Sequence, residues 1–149
     1  MSKLLNEQFV QDCIIEYLSR KGWSRNLKSK STKQQGVDIR VRNNKVSRYW
    51  LVEVKGDASK TAKNPRSRRE VNFNLVLGQI LTRMHTDGKP NYKYRYKYGV
   101  GLPTSHRDKV VRRLPYDACN KLNLYIFLVN EDKKVEMLDW KKLKKMQTK

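Results

Sequence analysis

Hydrophobic residues fall at helical spacing near the start of the chain. Leu5, Phe9, Val10, Cys13, Ile14, Tyr17 and Leu18 recur at helical steps, which predicts an amphipathic helix over 4–21, with Gly22 placed to end it. The period then changes to two. Val37, Ile39 and Val41 alternate with Asp38, Arg40 and Arg42; after a polar turn through Asn43, Asn44 and Lys45, Trp50, Val52 and Val54 alternate with Leu51, Glu53 and Lys55. Strict alternation predicts two half-buried strands joined as a hairpin over 36–55. Ahead of it, a first strand is expected near Trp23–Lys28 and a mobile loop over Ser29–Gln35.

Gly56 to Arg69 is too polar to pack and reads as a linker. A second helix is expected over 71–85, with Phe73, Val76, Leu77, Ile80, Leu81 and Met84 as its buried stripe. Gly78 lowers helix propensity there and suggests close packing against a sheet. Asp87-Gly88-Lys89-Pro90 breaks the helix. Tyrosines alternate with Lys or Arg from Tyr92 to Tyr98 and lead into Gly99-Val100-Gly101-Leu102, a strand basic at its start and buried at its end. Ser105–Arg113 and Pro115–Asn120 read as helical, Leu122–Val129 as a central buried strand, Val135–Leu138 as an edge strand, and Lys141–Lys149 as a helical or frayed basic tail. The order predicts one α/β domain over 1–149, a central sheet flanked by helices.

Charge changes the picture most. Thirty-four Lys and Arg against fourteen Asp and Glu give a net charge of +20. Such an excess calls for a polyanionic partner, nucleic acid before anionic membrane. It does not separate enzymes from ribosomal or architectural proteins. Cys13 and Cys119 belong to no metal-type pair and are expected as reduced thiols. No run approaches a membrane span, and no signal pattern is present, so a cytoplasmic location without membrane attachment is expected.

Against that background the acids stand out. Between Tyr17 and Arg69 only Asp38, Glu53 and Asp57 occur. A hairpin places Asp38, Glu53 and Lys55 on one side, where two carboxylates and an ammonium can hold a hard divalent cation and position a water. Glu7, on the first helix, reads equally as a solvated first-turn acid favoured by the helix dipole. His85 and His106 lack partners at ligand spacing and read as surface or satisfied residues. No phosphate-binding Gly-rich loop or nucleophile elbow is present.

The order of parts resembles the PD-(D/E)xK nuclease superfamily, with its restriction-endonuclease-like α-β-β-β-α-β core. Asp38 matches the family's single Asp, Glu53 and Lys55 its Glu-x-Lys, and Gln79 a glutamine carried on the following helix by several branches. Glu7 matches a first-helix Glu. The proline that precedes the family's Asp is absent, Val37 standing in its place. The resemblance covers 4–85 and implies an endodeoxyribonuclease. Asp38, Glu53 and the Val54 carbonyl would hold Mg²⁺ or Mn²⁺, and Glu7 would complete a second metal position or orient a water. Lys55 would activate the attacking water and Gln79 would hold Lys55 or the phosphate, leaving a 5′-phosphate after in-line attack. Lys30, Lys33, Lys60, Lys63, Arg66, Arg68 and Arg69 are expected on DNA, and a homodimer would allow double-strand cuts. The rival expectation is a basic nucleic-acid-binding module that holds without cutting. A ribosomal-type RNA-binding protein is a third.

Overall fold

Asn6 opens the first helix by accepting the N–H of Phe9 through its side-chain oxygen at 2.8 Å, a cap that replaces one unmet intrahelical bond. The computed structural model describes residues 4–25, 37–43, 45, 48–57, 64–84 and 96–148. In it this helix, α1, spans Glu7–Arg20. It ends at Gly22, whose φ of 91° is a conformation glycine adopts without steric cost. Val10, Cys13, Ile14 and Leu18 are its buried residues, a single stripe of the kind the periodicity predicts.

Among the described residues six strands form one sheet in the order β1 to β6. They are β1 Ser24–Arg25, β2 Ile39–Asn43, β3 Arg48–Val54, β4 Tyr96–Pro103, β5 Leu124–Val129 and β6 Val135–Leu138. β1, β2 and β3 run antiparallel, β3, β4 and β5 parallel, and β6 antiparallel to β5. The first parallel crossover carries α2 (Pro65–Thr82). The second carries a 3₁₀ turn (Thr104–His106), α3 (Arg107–Arg113) and α4 (Tyr116–Leu122), and α5 (Trp140–Gln147) follows β6. This mixed α/β sheet flanked by helices is the expected fold class.

Two cores lie on opposite faces of the sheet. Val10, Ile14 and Leu18 of α1 pack with Ile39, Val41, Trp50, Val52 and Val54. Phe73, Val76 and Ile80 of α2 pack on the other face with Leu51, Tyr98, Val100 and residues of α3, α4 and α5.

Several boundaries differ from expectation. The hairpin strands are not both half-buried: β3 is buried throughout Trp50–Val54, because α2 covers the face that carries Leu51 and Glu53. The linker ends at Asn64, not Arg69. Asn64 caps α2 by accepting the N–H of Ser67 at 3.2 Å, and Pro65 takes the first turn, where its missing donor costs nothing. The helix stops at Thr82, short of His85, and Leu81 is 49% exposed instead of buried. Leu122 closes α4 instead of opening β5, with Asn123 at φ 56° as the left-handed cap. Among the described residues the first strand keeps only Ser24–Arg25. Residues 26–28 of that strand, the 29–35 loop, residues 58–63, and His85 with the start of the tyrosine-rich run lie outside them. No helix among the described residues is long and apolar enough to cross a membrane.

Candidate active site

The end of β3 gathers the chemistry. Ile39 pairs with Val52 in the β2–β3 ladder, so Asp38, one residue before, falls opposite Glu53. The Asp38 carboxyl is close enough to that of Glu53 to raise its pKa. Asp38 is anchored twice. Its Oδ2 accepts the N–H of Val54 at 2.8 Å, and its carbonyl accepts Nε2 of Gln11 from α1 at 3.1 Å.

Glu53 is only 3% exposed. Burial, and then the Asp38 carboxyl beside it, push its pKa up to about 8, against the pull of Arg83. Arg83, just past the end of α2, places Nε 3.3 Å from Glu53 Oε1. Two carboxyls pressed together in a desolvated place favour a proton between them or a cation. Oxygen donors of this type suit a hard divalent ion.

Lys55 leaves the strand end and meets Glu7, with Nζ 3.9 Å from Oε1, while its N–H continues the ladder to Gly101 O at 3.0 Å. The expected cluster thus resolves into two pairs, Asp38 with Glu53 and Lys55 with Glu7. Glu7 does not join the carboxyl pair. Among the described residues no group of three or more His, Cys, Asp or Glu side chains is arranged to hold a metal ion. Asp38 and Glu53 are the carboxyl oxygen donors that the described residues bring together at this place. Gln79 lies one turn before Arg83 on α2, and its buried Oε1 has no hydrogen-bond partner.

A backbone close approach fixes the Lys55–Glu7 pair. A Cβ on Gly56 would stand 2.5 Å from Glu7 N and 2.8 Å from Leu5 O, so only glycine lets the start of α1 lie across the end of β3. Asp57 then clasps the two. It accepts Leu5 N–H through Oδ2 at 2.9 Å, donates its own N–H to Leu5 O at 2.7 Å, and accepts the Ser105 hydroxyl through Oδ1 at 2.5 Å. Behind Ser105, at 3.1 Å, is Nδ1 of His106, fully buried and not on the surface. Its Nε2 has no hydrogen-bond partner, so the ring is only half satisfied. Burial drives its pKa down to about 4. Asn72 of α2 completes the ring of contacts by donating to Gly56 O at 3.1 Å.

Sequence reasoning passes over Arg83, Gln11, Gly56 and Asn72. One signal is readable: Glu7 and Gln11 are four residues apart, so they share a helix face, and both turn toward the hairpin. Arg83 gives none beyond its four-residue spacing from Gln79. Of the basic residues, Arg68 and Arg69 lie on the first turns of α2, exposed and half-buried. Lys30, Lys33, Lys60, Lys63 and the Arg66 side chain lie outside the described residues.

Sheet order defines a mixed α/β protein consistent with a restriction-endonuclease-like core. The chain is similar in structure to an XisH family protein from Nostoc punctiforme PCC 73102, solved as a crystal structure at 1.60 Å. The TM-score is 0.53 at 14% identity, and the match covers 88% of this chain and 99% of that one. At that identity the likeness shows the fold alone. No protein-family model matches the chain, and no curated protein matches it in sequence.

Proposed function

We propose that this chain is a metal-dependent endodeoxyribonuclease of the PD-(D/E)xK type. The observation that carries the reading is the half-buried Asp38 carboxyl set against the buried Glu53 of β3, in a chain of net charge +20. Asp38, Glu53 and the Val54 carbonyl would hold Mg²⁺ or Mn²⁺. When bound, such an ion polarises the phosphoryl oxygens and lowers the pKa of its waters.

The chain's own residues do the rest. Val54 N–H and Gln11 fix Asp38, so its carboxylate needs no reorganisation on binding. Arg83 keeps Glu53 in place beneath α2. Lys55 directs its ammonium at the reacting phosphate, neutralising charge that develops there and orienting the attacking water. Glu7 holds Lys55 for that task and takes the positioning role more readily than that of a second ligand. The Gln79 amide, with an oxygen still unpaired, meets Lys55 or a phosphate-bound water. In-line attack then leaves a 5′-phosphate. Lys30, Lys33, Lys60, Lys63, Arg66, Arg68 and Arg69 supply phosphate contacts, and a homodimer would give paired cuts.

A second reading, a binding module that does not cut, draws on the lack of a third acidic ligand among the described residues. Incubation with Mg²⁺ or Mn²⁺ and linear, nicked, branched and single-stranded DNA decides between them. Metal-dependent cleavage of at least one form, abolished in Glu53→Ala, is expected. Binding of DNA without cleavage of any form would favour the module.

A further inference from the structure

Two arginines on β2 share the face of the carboxyl pair. Arg40 and Arg42 follow Asp38 at two-residue steps on β2 and stand opposite Leu51 and Tyr49 of β3. All three therefore point to the same face, spaced about 7 Å apart along the strand. Both guanidinium groups lie against one ring. Arg40 Cζ is 5.2 Å and Arg42 Cζ 5.6 Å from the Tyr49 centroid. Tyr49 in turn stacks on Tyr96 at 5.2 Å with planes 18° apart, and Tyr96 on Tyr98 at 6.3 Å.

What holds these arginines is therefore aromatic, not acidic. Among the described residues neither has a carboxylate partner, and the Nε of each is buried without an acceptor. Arg83 is the contrast, engaged with Glu53 at 3.3 Å. Stacking fixes the plane of a guanidinium yet uses none of its five N–H donors. Planar, pre-set and unneutralised arginines in a row suit the oxygens of successive phosphates.

We propose that β2 is the track of the substrate strand: Arg40 and Arg42 hold the DNA backbone phosphates next to the one at Asp38 and Glu53, and Tyr49 positions both arginines. The assignment rests on the nuclease reading for what happens at the carboxyl pair, but not for the binding itself. Arg40 and Arg42 are then strand-binding residues and Tyr49 a positioning residue.

The test is the affinity of a fluorescein-labelled DNA duplex, in Ca²⁺ to suppress cutting, as a function of salt. Each arginine replaced, Arg40→Gln or Arg42→Gln, should lower the slope of log K against log salt by about 0.9, with calorimetric uptake of Mn²⁺ unchanged. Tyr49→Leu keeps both charges but should still weaken binding, and Tyr49→Phe should restore it. An unchanged slope in the arginine variants would overturn the track and leave the nuclease reading untouched. A lowered slope in a protein that takes up no metal would overturn the nuclease reading and leave the track standing. Should the arginine variants fail to fold by circular dichroism, the tyrosine pair decides: equal affinity of Tyr49→Leu and wild type would overturn the proposal.

Discussion

Arg83 reaches the buried carboxyl of Glu53 from the end of α2, Nε to Oε1 at 3.3 Å, and is the counter-charge that Glu53 meets inside the protein. It does not offset burial and the adjoining Asp38 carboxyl, for Glu53 stays raised to about 8. A carboxyl whose folded pKa exceeds its unfolded value near 4.5 stabilises the fold fully below that value. The contribution is lost as pH rises through the folded pKa.

Metal-free protein should therefore lose stability between about pH 5 and 8 relative to Glu53→Gln, at a rate of at most about 1.4 kcal/mol per pH unit. Urea titrations of the two proteins across that range measure it. Parallel pH profiles would contradict a Glu53 carboxyl raised by burial and by Asp38. Arg83→Met should push the Glu53 titration higher still, as followed by carboxyl-carbon NMR.

His106 works in the opposite direction. Its folded pKa is depressed to about 4 from an ordinary value of 6.5. Its contribution is thus present above the unfolded value and is lost as pH falls toward the folded one. His106→Gln should flatten the acid limb of the stability profile, which thermal melts from about pH 7 down to about 4 would read. An acid limb identical to wild type would contradict a His106 held neutral by burial.

Glycines 56 and 78 should respond in opposite senses to alanine. Gly56→Ala brings a methyl within 2.5 Å of Glu7 N, a backbone collision that should cost about 1–3 kcal/mol and separate Lys55 from Glu7. Gly78 is exposed on α2, and a methyl placed there would meet nothing within 4 Å, so Gly78→Ala should add about 0.4–1 kcal/mol. Melting temperatures that moved the same way in both variants would contradict the packing at the end of β3.

Much of this arrangement is legible in the alternation of residues 37–42 and 50–55. Period two determines which side chains share a face, and it puts Asp38, Glu53 and Lys55 on one side from the sequence alone, without saying which of them pair. Gly78 misleads, since its outward position owes nothing to packing on the sheet. Pairing across the sheet is not legible in the same way. Arg83 is brought to Glu53 by the crossover from β3 through α2. Gly56 admits α1 beside a clasp between Leu5 and Asp57, 52 positions apart. Such contacts leave no periodic trace. The start of α2 is misplaced for a different reason: the charge of Arg66, Arg68 and Arg69 masks an Asn64-Pro65 helix start.

Glu7 separates support from ligation. Its pair with Lys55 is long, at 3.9 Å, and its side chain is 49% exposed, so Glu7→Gln should change stability by no more than about 1 kcal/mol. Metal uptake should stay near wild type while cleavage falls. Loss of metal binding in Glu7→Gln, seen by calorimetry, would make it a ligand instead.

The central claim is that Asp38 and Glu53 form one cation site that cuts DNA. Calorimetric titration of Mn²⁺ into wild type, Asp38→Ala, Glu53→Ala and Lys55→Ala, with cleavage read on the same samples, tests it most directly. The account predicts uptake and cleavage in wild type and neither in the two carboxylate variants, which still bind DNA as tightly as wild type or tighter. Lys55→Ala should take up metal and not cleave. No uptake by wild type, or undiminished uptake by Asp38→Ala and Glu53→Ala, would contradict it.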